Sequence, residues 1–166
     1  MRIAGIVKES IVDGPGLRYV IFTQGCPHHC VGCHNPSTHD FKGGYEVSWQ
    51  DLLEEIKSNP LLRGVTFSGG EPVCAAEDLA LLADEIKKTK LDIIMYSGYT
   101  YEQIIELAEE NPWIERLIKK VDYLVDGPFK EEEKDLTLLF RGSRNQNIID
   151  VQESIKSGIK KCLISF

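Results

Sequence analysis

The sequence predicts an α/β fold with a mostly parallel sheet. Short apolar runs alternate with amphipathic segments along the chain, in β-α-β-α order. Within one amphipathic segment Leu79, Leu82, Ala83 and Ile86 fall on a single face at helical spacing, which marks a helix with one buried side. No internal repeat or low-complexity linker divides the 166 residues, a length that fits one domain, 1–166.

The elements follow in order. Strands are predicted at Leu17–Thr23, Gly64–Phe67, Leu91–Tyr96, Val121–Val125 and Lys160–Ser165, where apolar and β-branched residues cluster between turn formers. Helices are predicted at Trp49–Ser58, Ala75–Lys88, Tyr101–Glu110 and Trp113–Lys119. Ser48 has the position of an N-cap, with Asp51 three residues on, and Thr100 with Gln103 has the form of a capping box. Trp49 and Trp113 open helices and read as packing anchors. In such folds active groups gather in the loops that follow the C-terminal ends of strands.

At 42% hydrophobic and 27% charged residues the chain can bury a core under an ordinary soluble surface. A net charge of −7 argues against a nucleic-acid partner or an anionic membrane surface. No apolar run approaches the roughly 18 residues of a membrane span, and Lys8 and Glu9 interrupt any signal-peptide core. A cytoplasmic location is therefore expected, where thiols stay reduced. The five cysteines are then better read as metal ligands or catalysts than as a disulfide framework.

Three of them lie in GCPHHCVGCHNPSTHD, residues 25–40, which also holds all four histidines. Cys26, Cys30 and Cys33 are spaced C-x3-C-x2-C, directly after the first predicted strand, in a loop that Gly25, Pro27 and Gly32 allow to wrap a small object. Three readings are open. A [4Fe–4S] cluster, usually held by four thiolates, would be left with one iron open to an outside ligand. A zinc ion could take the three thiolates and one of His28, His29, His34 or His39, although zinc sites usually pair two knuckles. The thiols could also simply pack as small buried hydrophobes.

The second informative stretch is GVTFSGGEP, residues 64–72, in which a strand runs into Gly69, Gly70 and Glu71 before Pro72 ends pairing. Paired glycines let backbone approach a ligand, and carbonyls there, with the Glu71 carboxylate, can accept from an ammonium group. A plain strand-to-helix turn is the alternative. Two strand ends bearing the two motifs would face one shared pocket.

Together CPHHCVGC and SGGEP resemble the radical S-adenosylmethionine superfamily. DGPGLR (13–18), QGCPHHCVGCHNPSTHD (24–40), YSGYTYEQI (96–104), LVDGPF (124–129) and FRGSRNQNIIDV (140–151) resemble, more narrowly, the activating proteins of anaerobic ribonucleoside-triphosphate reductase. Gly32 before the last cysteine suits that narrower group, whereas His34 after it is similar to the pyruvate formate-lyase activator. The resemblance implies an incomplete β/α barrel, since a full one typically needs ~250 residues. It implies that Cys26, Cys30 and Cys33 hold three irons of a [4Fe–4S] cluster and that S-adenosylmethionine chelates the fourth. Backbone at Gly32, Cys33 and His34 would contact the nucleoside, and Gly69, Gly70 and Glu71 the methionine ammonium. The reaction implied is reductive cleavage to methionine and a 5′-deoxyadenosyl radical, which takes hydrogen from a glycine of the partner reductase. It needs no catalytic acid–base pair, because the cofactor supplies the hard chemistry. An electron donor of flavodoxin or ferredoxin type is implied as a second partner. The open side of the barrel would admit the partner's glycine loop.

Other residues carry less. Asp13 and Arg18 flank a turn expected at the mouth of the site. Asp126 would meet the adenosine or partner, or serve a turn. Arg141 and Arg144 would pair with a substrate carboxylate, with the partner, or in surface salt bridges. Cys74 and Cys162 match no ligand position and are expected to be buried, and KEEEKD reads as solvated surface. A non-catalytic zinc module and an activator of another glycyl-radical enzyme are the competing functions.

Overall fold

The computed structural model describes all 166 residues. One eight-stranded open sheet has the order β3-β1-β2-β4-β5-β6-β7-β8. The strands are β1 (Arg2–Ser10), β2 (Arg18–Thr23), β3 (Tyr45–Glu46), β4 (Gly64–Gly69), β5 (Asp92–Tyr96), β6 (Tyr123–Asp126), β7 (Asn147–Asp150) and β8 (Cys162–Leu163). The helices are α1 (Trp49–Ser58), α2 (Ala76–Ile86), α3 (Tyr101–Glu110), α4 (Pro112–Ile118) and α5 (Val151–Ser157).

The α/β class holds, but the sheet is mixed rather than mostly parallel, with three parallel pairings out of seven. Strands β2, β4, β5 and β6 pair in parallel, while β1 and β3 at one edge and β7 and β8 at the other pair antiparallel. Parallel neighbours need a crossover, usually a helix. Only residues 11–17 join β1 to β2, and no α-helix lies between β6 and β7, so these steps return antiparallel. The sequence reading missed β1 because Gly5 and a register shift between Ile3 and Gly5 spoil its alternation. It missed β7 and α5 because four and seven residues are too few to show a period.

Helix starts are set by side chains. Ser48 accepts from Asp51 N at the head of α1, and Thr100 and Gln103 form a full capping box at α3. Asn111 and Asp150 cap α4 and α5. All five helices cover one face of the sheet. Tyr19, Ile21, Val65, Phe67, Ile93, Met95, Leu124 and Ile149 point there, against Leu52, Leu79, Ile104, Leu117 and Val151. Trp49 and Trp113 pack at its edge.

Alternation sends Val20, Thr66, Ile94, Val125 and Ile148 to the opposite face, where residues 11–17 lie across the sheet's lower end. Thr66 donates to the Asp13 carbonyl at 2.9 Å, and a Cβ on Gly14 would stand 2.6 Å from Ile94 Cδ1. Arg18 fastens this loop. Fully buried, it donates to the Pro15 carbonyl at 3.0 Å, Thr66 Oγ1 at 2.8 Å, the Val65 carbonyl at 3.1 Å, and the Asp92 carboxylate. Arg18→Ala should therefore destabilise the fold by on the order of 3 kcal/mol, because it removes four hydrogen bonds made by a buried guanidinium, leaves Asp92 only the more distant Arg63, and frees the loop. A chemical denaturation midpoint unchanged from wild type would contradict this.

Candidate functional site

The two glycine-bearing loops at the C-terminal ends of β2 and β4 interlock. Gly70 N donates to the Thr23 carbonyl and Glu71 N to the Gly25 carbonyl, both at 2.9 Å. Gly69 has φ +99°, and a Cβ there would stand 2.4 Å from Thr23 N. At Gly70 a Cβ would lie 2.4 Å from the Gly25 carbonyl oxygen, a backbone atom that cannot swing aside. The glycines are thus needed for backbone-to-backbone contact. The cysteine loop closes on itself: Gly25 N donates to Thr38 O at 2.7 Å, Cys26 N to His39 O at 3.2 Å, and Gln24 Nε2 to the Ser37 and Asp40 carbonyls.

Cys26, Cys30 and Cys33 all line one cavity of about 140 Å³, together with Ser68, Gly69 and Gly70. Thus the shared pocket expected from the sequence is present. All three thiols are free, Cys26 buried and the others half-buried. Backbone N–H groups aim at the sulfurs: His28 and His29 at Cys26, and Asn35 at Cys33 at 3.4 Å. Burial pushes the Cys26 thiol up, against those N–H groups. No three Cys, His, Asp or Glu side chains converge on a single-ion position. His28 and His39 line the same cavity, His39 with its Nε2 buried and without a hydrogen-bond partner. His34 is exposed with its ring 5.0 Å from that of Phe129, and His29 and His39 stand ring to ring at 5.1 Å.

His28, which its spacing did not single out, is the histidine the site uses. Its Nε2 lies 2.7 Å from Glu71 Oε2. The Glu71 carboxylate has no solvent exposure and also accepts from Val73 N at 3.1 Å, Ser97 Oγ at 2.8 Å and Gly98 N at 2.8 Å. A carboxylate offers about four acceptor positions, so this one is filled by its own chain. It ties the cysteine loop to the ends of β4 and β5. The His28 ring packs against Tyr99 at 4.5 Å, over Gly98, where a Cβ would come within 2.4 Å of it.

Gly32 has φ +74° and sits against the Glu131 carboxylate, so the KEEEKD run, though mostly exposed, borders the cysteine loop. Asp126 is buried and accepts from Tyr101 N at 2.8 Å and Asn147 N at 3.2 Å, joining α3 to β7. The SRNQ segment folds back on DGPF. Asn145 Nδ2 donates to the Pro128 carbonyl at 2.8 Å, Gln146 Nε2 to Gly127 O at 3.1 Å, and Lys130 N to the buried Ser143 hydroxyl at 3.2 Å. Arg144 is exposed and Arg141 half-buried. Asp13 borders a second cavity, whereas Arg18 lies at the opposite end of the strands from the cysteines. Cys74 and Cys162 are exposed, against the expectation of burial. Val73 takes the core position beside Cys74, and Cys162 stands in an edge strand.

An open α/β sheet with three thiols around one cavity at its strand ends defines a candidate iron–sulfur protein. Accordingly, the family described as "4Fe-4S single cluster domain" matches residues 12–149. The chain is 34% identical to the anaerobic ribonucleoside-triphosphate reductase-activating protein of Vibrio cholerae, over 83% of this chain and 90% of that one. To the protein of the same name from Escherichia coli K12 it is 33% identical, over 82% and 90%. The pyruvate formate-lyase-activating enzyme of Clostridium pasteurianum is 38% identical over 63% of this chain and 48% of its own. The chain belongs to the family of anaerobic ribonucleoside-triphosphate reductase-activating proteins. No helix is long and apolar enough to cross a membrane.

Proposed function

We propose that this protein activates an anaerobic ribonucleoside-triphosphate reductase by generating a glycyl radical on it. The observation that carries this reading is the gathering of Cys26, Cys30 and Cys33 around one cavity closed by Gly69 and Gly70. These cysteines would hold a [4Fe–4S] cluster, leaving one iron for the amino and carboxylate groups of S-adenosylmethionine. The chemistry such a cluster supplies when bound is one electron for cleavage of the sulfur–C5′ bond. Methionine would leave, and the 5′-deoxyadenosyl fragment would take a hydrogen atom from a glycine of the reductase, becoming 5′-deoxyadenosine.

The chain's own residues bind and orient. Backbone at Gly32, Cys33 and His34 would meet the nucleoside. Gly69 and Gly70 would take the ammonium on their backbone, with Glu71 holding the loops together, since its acceptor positions are filled. We read the open sheet with helices on one face as an incomplete β/α barrel within a single domain, its uncovered side admitting the reductase loop. A one-electron donor of flavodoxin or ferredoxin type would complete the system in the cytoplasm.

The test mixes anaerobically reconstituted protein, reductant and S-adenosylmethionine with candidate glycyl-radical enzymes. A glycyl-radical resonance on the anaerobic reductase, and none on pyruvate formate-lyase, is expected. The reverse would favour the second reading, an activator of the latter, to which His34 and the Clostridium relative point.

A further inference from the structure

Arg141 forms no ion pair, its charge reaching Asp135 only from beyond pairing distance. Of the six arginines, Arg2, Arg18, Arg63 and Arg116 each have a carboxylate within 4.0 Å, and Arg141 and Arg144 have none. Arg144 is exposed, so water serves it. Arg141 is half-buried; one terminal nitrogen donates to the Gln146 carbonyl at 3.1 Å, while its Nε is buried with no partner. A desolvated guanidinium N–H lacking an acceptor is unfavourable, and a planar fork is built to receive a carboxylate.

Its place gives the unpaired N–H a meaning. Arg141 lines a cavity of about 390 Å³ that adjoins the cysteine cavity and shares Cys33, Ser68, Gly69, Tyr96 and Gln146 with it. It is the sole lysine or arginine lining either cavity. The one carboxylate there, Asp13, accepts from Ser10 Oγ and forms no ion pair with Arg141. Among the chain's own side chains, Arg141 is the only permanent cation facing this space and the only one there that can offer a carboxylate a paired donor.

We propose that Arg141 receives the α-carboxylate of S-adenosylmethionine, opposite the ammonium contact at Gly69 and Gly70. This rests on the reading above that S-adenosylmethionine is the ligand. The test uses anaerobic, cluster-loaded wild type, Arg141→Gln and Arg141→Lys, with binding measured by calorimetry. Each is titrated with S-adenosylmethionine and with its decarboxylated analogue, which keeps the sulfonium, nucleoside and ammonium. Arg141→Gln should weaken S-adenosylmethionine about 10- to 100-fold, the range of a charge-assisted hydrogen-bond pair, and leave the analogue's affinity unchanged. Arg141→Lys should fall between, having the charge without the fork. Equal losses for both ligands, or no loss for S-adenosylmethionine, would overturn the assignment. So would loss of the cluster in both variants, because Arg141 would then be holding the cavity rather than the ligand. Wild-type protein that binds neither compound would instead sink the proposed function.

Discussion

Alanine at any one of Cys26, Cys30 or Cys33 is expected to abolish reductive cleavage of S-adenosylmethionine, whereas Cys74→Ala and Cys162→Ala leave it intact. The three thiols share one cavity, and the other two stand exposed elsewhere. Wild-type protein reconstituted without oxygen should be brown and carry about four irons per chain, with a broad absorption that bleaches on reduction. Each site variant should lose most of that iron and colour, since a cube with two protein thiolates has two unprotected corners. Activity surviving in all three variants would refute the ligand set, and so would loss of the cluster in Cys74→Ala or Cys162→Ala.

Glu71→Ala should be among the most destabilising single changes in the chain. It leaves four donors from three segments, at His28, Val73, Ser97 and Gly98, without their acceptor, and opens a void where nothing is exposed. The expected cost is about 3–5 kcal/mol, a large part of the ~5–15 kcal/mol that holds a domain together. Glu71→Gln should cost about 1–3 kcal/mol: one oxygen still serves Val73 and Ser97, and His28 can change tautomer, but Gly98 N then meets an N–H donor. Denaturation of the metal-free protein measures both. The effect should persist without iron, because the tie is made wholly of protein. Equal stability of Glu71→Ala and wild type would show that the carboxylate is not the knot described here.

Much of this was legible in the sequence. Helices α1 and α3 fall where periodicity and caps place them, because Ser48 and Thr100 fix their first turns locally. The cysteine loop and the Gly-Gly turn follow predicted strands, and parallel pairing of those strands brings their ends together. What stayed hidden depends on distant partners. Arg18 reads as a mouth residue but serves Asp92, 74 positions away. His28 differs from its neighbour His29 only in facing Glu71, 43 residues on. Strand β7 is four residues whose pairing with β6 is secured by the Asp126 carboxylate and by the fold-back of Asn145 and Gln146, none of which a local period records.

Since all five helices stand on one side of the sheet, the other side is floored at one end by residues 11–17 and, beside the cysteines, is covered only by the segment that carries Gly127, Phe129 and Gln146. On the function proposed above, a docked client would complete that cover, making the reaction chamber the joint property of two molecules. Timing then matters as much as affinity. An electron delivered before docking would leave a short-lived radical facing solvent, and one delivered afterwards would spend it on the intended glycine.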